Sequence, residues 1–115
     1  MRETTRNKNR LEHIIEAIDN VFEFTENMTF EDYVADKKVK FAVVKNLEII
    51  GEASYKLTKE FKNKYTEIEW QTIIGLRHVL VHGYYKTEDF IIWGVIQKDL
   101  QPLKEQIQVL YDNEQ

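Results

Sequence analysis

Apolar residues in this chain recur every three to four positions rather than every second one, a period that belongs to helices. Leu11, Ile14, Ile15, Ile18 and Phe22 share one face, with Glu12, Glu16, Asp19 and Glu23 opposite, which predicts a bundle helix starting near Lys8. Thr29 followed by Asp32 has the form of a capping box, in which hydroxyl and carboxylate satisfy each other's orphan amides, and it opens a short helix through Tyr33 and Val34. Asp36 is placed to cap the next helix. From about 37 to 62 the positions Val39, Val43, Asn46, Ile50, Ala53 and Leu57 keep the period and predict the longest uninterrupted helix.

Thr66 and Glu69 make a second capping-box signature. After them Ile68, Trp70, Ile73, Ile74, Leu76, Val79, Leu80 and Val81 leave a helix apolar almost all round, which must be covered on most sides. Gly83 can take the left-handed conformation that ends such a helix, so the stop is expected near Val81 or His82. Thr87 and Asp89 restart the chain into a last helix carrying Phe90, Ile92, Trp93, Ile96, Leu100, Leu103, Ile107 and Leu110, which Pro102 should kink or split. No run alternates with period two. The expectation is an all-α fold, an antiparallel bundle of four to five helices.

With 115 residues, 4 glycines, 1 proline and no linker-like tract, the chain has room for a single domain spanning 1–115. The absence of cysteine excludes a disulfide framework, thiol catalysis and cysteine-ligated metal sites. No window is apolar enough to span a membrane, which leaves the cytoplasm as the expected location. The net charge of −4 argues against a module that coats nucleic acid by global attraction. That charge is unevenly spread. Lys37, Lys38, Lys40, Lys45, Lys56, Lys59, Lys62 and Lys64 face only three acids within residues 37–64. A solvated lysine-rich face is the ordinary meaning of such a run, and an RNA-guiding surface is the functional one.

Gly51, Gly75 and Gly94 fall inside predicted helices, where each costs roughly 1 kcal/mol relative to Ala. Close approach of another backbone would compensate. Tight packing within the bundle is the plainer form of that approach; at Gly75, beside Arg77, a second copy of the same helix is the sharper one.

The chemistry concentrates between Gly75 and Tyr85. Arg77, His78 and His82 sit on or at the end of an otherwise apolar segment, and Tyr84 and Tyr85 follow the expected cap. A charged arginine there needs a partner or a cleft, and a structural pairing with Glu52 or Glu48 is one answer. His78 and His82 stand at i, i+4, the spacing for a shared metal ion, but a zinc protease needs Glu directly after the first histidine and Val79 occupies that position. No metal and no cofactor is expected. An arginine with a neutral histidine suits phosphodiester cleavage instead: imidazole can take the proton from a ribose 2′-hydroxyl while guanidinium steadies the pentacoordinate phosphate. That attack leaves a 2′,3′-cyclic phosphate and restricts the substrate to RNA. On an ideal helix Arg77 and His82 lie about 140° apart, so they meet only if His82 leaves the helix or another chain completes the site.

Arg77-x4-His82-x-Tyr84 resembles the signature of HEPN-type ribonucleases, in the extended form with tyrosine seen in HepT-like toxins. Ala42 to Ala53 looks like the family's long central helix, and Trp70, Trp93 and Leu100-Gln-Pro-Leu103 fall where its members have similar residues. The resemblance implies a helical bundle that dimerises through the motif helix, so that two Arg/His pairs line one cleft. It implies a toxin of a two-gene toxin–antitoxin pair, an endoribonuclease acting on tRNA or mRNA. Carried onto this sequence, Arg77 is the phosphate-stabilising cation, His82 the acid/base group and His78 a residue that positions RNA. Tyr84 matches the tyrosine that a nucleotidyltransferase antitoxin of the MntA type modifies with AMP in some members. Tyr85 stands where phenylalanine is common. The alternative is a non-catalytic HEPN subunit that binds a nucleotidyltransferase.

Overall fold

The computed structural model describes residues 2–78 and 86–114, with side chains from Thr5 to Arg77 and from Glu88 to Glu114. Among them the chain is helical with no strand: α1 (Arg2–Phe24), α2 (Phe30–Ala35), α3 (Lys37–Lys56), α4 (Lys59–Lys64), α5 (Trp70–Ile74), a 3-10 turn (Gly75–His78), α6 (Lys86–Gly94), a π turn (Val95–Asp99) and α7 (Leu100–Asn113). The all-α expectation holds. Helix α3 is the hub: α1 lies along it, the α5 segment and the 3-10 turn pack across it, and α7 closes the other side of α1. The core between them contains Leu11, Ile14, Ile18, Leu47, Ile50 and Ile107, each essentially without exposure. Burial of such side chains contributes roughly 1.5–3 kcal/mol apiece, which is what holds short helices that would not persist alone.

The caps at the start of α2 and α3 form as the spacing predicts. Asp32 donates its amide to the Thr29 hydroxyl at 3.0 Å and accepts the Thr29 amide at 3.1 Å, and Asp36 accepts the Val39 amide at 3.1 Å. The long central helix does not run to 62. It ends at Lys56, because Thr58 turns the chain and caps α4 through the Phe61 amide. Asn7 of α1 clamps that break from outside, donating to the Thr58 hydroxyl and accepting the Thr58 amide, both at 3.2 Å. The same contact explains why α1 begins well before Lys8: its polar first turns carry no apolar stripe, yet they dock on the end of α3. Among the described residues the longest helix is therefore α1.

The second capping box does not form. Glu69 occupies the cap position of α5 without a side-chain bond to the helix. Burial decided against it: Trp70 packs on Phe61 with ring centroids 6.3 Å apart and donates its indole N–H to the Tyr65 carbonyl at 3.0 Å, and Ile68 is buried beside them. The last helix is interrupted upstream of Pro102, where the Leu100 amide reaches back five residues to Val95. The π turn leaves Pro102 in the first turn of α7, where its missing N–H is not required. Helix α6 is pinned to α3 by an ion pair between Lys40 and the buried Asp89 at 2.9 Å, and to α2 by Tyr33 against Trp93 at 5.4 Å. No described helix is long and apolar enough to cross a membrane.

Candidate active site around Arg77

Of the motif residues, Arg77 is described in full and His78 through its backbone; His82 and Tyr84, with Gly83 and Tyr85, lie outside the described residues. The segment leading to Arg77 is not a continuous α-helix. After the five residues of α5 the chain tightens into the 3-10 turn Gly75–His78, and Arg77 stands on that turn. Residues of such a turn advance by about 120° each, and the Arg77–His82 separation expected from an ideal helix falls outside the described residues.

What sets the position of Arg77 is Gly51. A Cβ built on Gly51 would lie 2.6 Å from the Arg77 amide nitrogen, 2.9 Å from the Arg77 Cβ and 3.0 Å from the Ile74 carbonyl oxygen. The 3-10 turn thus lies directly on α3, and Gly51 is there because no side chain fits. Tight packing within the bundle is confirmed for this glycine. Gly75 and Gly94 have no such neighbour among the described residues, with nothing within 4 Å of an added Cβ.

The guanidinium of Arg77 reaches across α3. Its carbon sits 3.9 Å from the centroid of the Tyr55 ring, within cation–π range, and its nearest nitrogen is 3.8 Å from Glu52 Oε2. Glu52 is the partner that pairing arguments suggest, but 3.8 Å is beyond hydrogen-bonding distance, and the side chains are 24% and 45% exposed. Such a pair contributes about 0–1 kcal/mol and does not consume the guanidinium's directional donors. Among the described residues, Arg77 is held in orientation rather than neutralised.

Lys62 of α4 joins the same corner. Its ammonium donates to the carbonyls of Ser54 and Tyr55, at 3.3 and 3.2 Å, and lies 5.9 Å from the Tyr55 ring centroid. Burial first, and the positive charge of Arg77 second, hold its pKa below the ordinary lysine value. Arg10 caps the next carbonyl, that of Lys56, at 2.6 Å. The C-terminal end of α3, where unpaired carbonyls make a negative pole, therefore gathers cations that outnumber its acids.

The lysine run of residues 37–64 divides on folding. Lys40 is spent on Asp89, Lys45 pairs with Glu48 at 3.1 Å, and Lys64 pairs with Glu114 at 3.1 Å. Lys62 is the one brought to Arg77. Tyr55 was not singled out by the sequence; its signal was its place four residues after Gly51 and three after Glu52, on the same face of α3. Among the described residues no group of three or more histidine or acidic side chains is arranged to hold a metal ion.

The described residues form an all-α bundle with an arginine on a tight turn over its central helix, an architecture consistent with the HEPN class of helical domain. A family model described as Ribonuclease HepT-like matches residues 14–110, and the chain belongs to that family. A protein named "Probable ribonuclease HepT" from Thermococcus cleftensis is 41% identical over 97 residues, covering 84% of this chain and 88% of the relative. One named "Putative RNase" from Caldanaerobacter subterraneus is 38% identical over 104 residues, covering 90% and 93%. Another of that name from Methanocaldococcus jannaschii is 30% identical over 97 residues, covering 84% and 89%. No solved structure matches the chain.

Proposed function

We propose that this chain is a metal-independent endoribonuclease, the toxin of a toxin–antitoxin pair, with Arg77 and His82 acting in a cleft shared by two copies. The observation that carries it is the state of Arg77: a guanidinium seated by Gly51, oriented by Tyr55 and Glu52, and still able to bind an anion. Membership of the HepT-like family and relatives named as RNases support RNA as that anion.

In this reading neutral His82 takes the proton from a 2′-hydroxyl, whose oxygen attacks the adjacent phosphorus. Arg77 binds the pentacoordinate phosphate. The 5′-oxygen leaves with a proton from the protonated histidine of the second copy, giving a 2′,3′-cyclic phosphate and a 5′-hydroxyl. His78 positions the RNA. In this reading the second copy approaches at Gly75, which has no described neighbour within 4 Å of an added Cβ. Tyr84 is the site at which a nucleotidyltransferase antitoxin adds AMP, bringing bulk and negative charge to the place where RNA phosphates bind.

The test is cleavage of RNA in excess EDTA by the purified, unmodified chain. Cleavage is lost in Arg77→Ala and His82→Ala while helical circular dichroism is retained; full activity in both variants refutes the assignment. Intact mass after co-expression with a nucleotidyltransferase partner shows AMP increments that vanish in Tyr84→Phe. A second reading, a non-catalytic subunit that binds the nucleotidyltransferase, draws on the Arg77–Glu52 pair as a purely structural contact. It prevails if the unmodified chain cuts no RNA and does not slow growth.

A further inference from the structure

Arg77 is one cation, yet a cleaved strand presents a phosphate on either side of the scissile one, and those charges also need places on the protein. The molecule offers several cationic surfaces. The groove between α1 and α3 carries Arg6, Arg10, Lys45 and Lys56, but Glu48 and Glu52 share it and Lys45 already pairs with Glu48. The recess by Lys40 is mainly apolar, and its ammonium is committed to Asp89.

The corner at the end of α3 differs. Lys62 shares the Tyr55 ring with Arg77, and the negative pole of the helix holds its ammonium in place through two carbonyls. Two cations kept together at mutual electrostatic cost are a favourable place for a phosphate diester, which relieves the repulsion as it binds. Beyond Lys62 a groove of about 530 Å³ opens between α4 and α5, and it is lined by Lys59, Asn63, Thr66, Gln71 and Thr72. Those side chains offer hydrogen bonds and one further cation, and Glu69 is the sole carboxylate among the lining residues.

We propose that Lys62 binds the phosphate adjoining the one held by Arg77, so that a single RNA strand runs from Arg77 over the end of α3 into the groove between α4 and α5. Lys62 is a substrate-binding residue here, and takes no part in proton transfer. The proposal rests on the ribonuclease reading of Arg77 and extends it to the path of the substrate.

The experiment measures binding of a 2′-deoxy oligonucleotide, which cannot be cleaved, by fluorescence anisotropy across a salt series, with cleavage of the matching RNA in parallel. The variants are Lys62→Gln, which keeps a donor for the Ser54 and Tyr55 carbonyls, and Lys62→Arg, which keeps the charge. Lys62→Gln weakens binding about 5- to 10-fold at low salt and flattens the slope of log K against log salt by about 0.7, the release expected for one phosphate contact on a single strand. Its KM for RNA rises with kcat little changed, and Lys62→Arg restores the wild-type slope. At high salt the two curves converge, whereas a loss of packing would persist there. Unchanged affinity and slope in Lys62→Gln, with wild-type cleavage intact, overturns the phosphate site alone. A wild-type chain that binds the oligonucleotide with a Lys62-dependent slope but never cuts RNA overturns the ribonuclease reading and leaves the site. Neither binding nor cutting overturns both.

Discussion

Replacing Gly51 with alanine adds one methyl group at the point where the turn bearing Arg77 rests on α3. Elsewhere in a helix this change stabilises by roughly 1 kcal/mol, because glycine has more chain entropy to lose. At Gly51 the new carbon would stand 2.6 Å from the Arg77 amide, about 0.8 Å short of ordinary contact at 3.4 Å, and the neighbours at 2.9 and 3.0 Å are the Arg77 Cβ and the carbonyl of Ile74 at the end of α5. Backbone cannot swing aside as a flexible side-chain end can, so the turn must lift from α3. Overpacking of this kind costs about 1–3 kcal/mol, which leaves a net destabilisation of about 0–2 kcal/mol after the helix gain. On the role proposed for Arg77 the larger effect falls on function: displacing a phosphate-binding cation by nearly 1 Å can cost on the order of 10²-fold in rate. The matched control is Gly94→Ala, since Gly94 has αR backbone angles and no described atom within 4 Å of its added carbon. Urea unfolding of both variants and kcat/KM on RNA make the comparison. Gly94→Ala gains up to about 1 kcal/mol and keeps activity, whereas Gly51→Ala does neither. If Gly51→Ala were stabilised as much as Gly94→Ala and cut RNA at the wild-type rate, the close seating of Arg77 on α3 would be refuted.

Two further expectations concern the frame. Thr58→Ala removes the cap of α4 and one partner of Asn7, and costs about 1–2 kcal/mol in urea unfolding; a loss below about 0.3 kcal/mol would mean that the break at Thr58 is set by something else. At the chain's end Glu114 accepts the Tyr65 hydroxyl at 2.6 Å and the Lys64 ammonium at 3.1 Å. The Tyr65 hydrogen bond, aided by Lys64, holds its pKa below the ordinary carboxylate value. A lowered folded-state pKa gives stability that is present above the unfolded carboxylate pKa, about 4.3, and lost as pH falls through the lower folded value. Wild type minus Glu114→Gln should therefore show a melting-temperature difference that is constant near neutrality and shrinks below about pH 4.5. A difference that grows on acidification would contradict the sign.

Local rules in the sequence determined a good deal. The helical period, the Thr29–Asp32 box and the Asp36 cap are interactions between residues three or four apart, and such rules act whatever the rest of the chain does. The arginine–histidine spacing likewise suggested the chemistry proposed above, although His82 lies outside the described residues. Where the chain departed from those rules, a contact distant in sequence had overridden them. Thr58 breaks the predicted long helix by capping α4 through the Phe61 amide, and Asn7, 51 residues away, locks that break with two hydrogen bonds to Thr58. Burial of Trp70 against Phe61 outweighed the second capping box, because an aromatic side chain buried in a core is worth more than one exposed cap. The same distinction governs the site. The sequence showed that Gly51 needed a close neighbour and that Arg77 needed a partner, but only the packed structure decided that each meets the other's element. Periodicity can tell which face of a helix is buried; it carries no information about which distant backbone lies against that face, and here that is what seats Arg77, Tyr55 and Lys62 together.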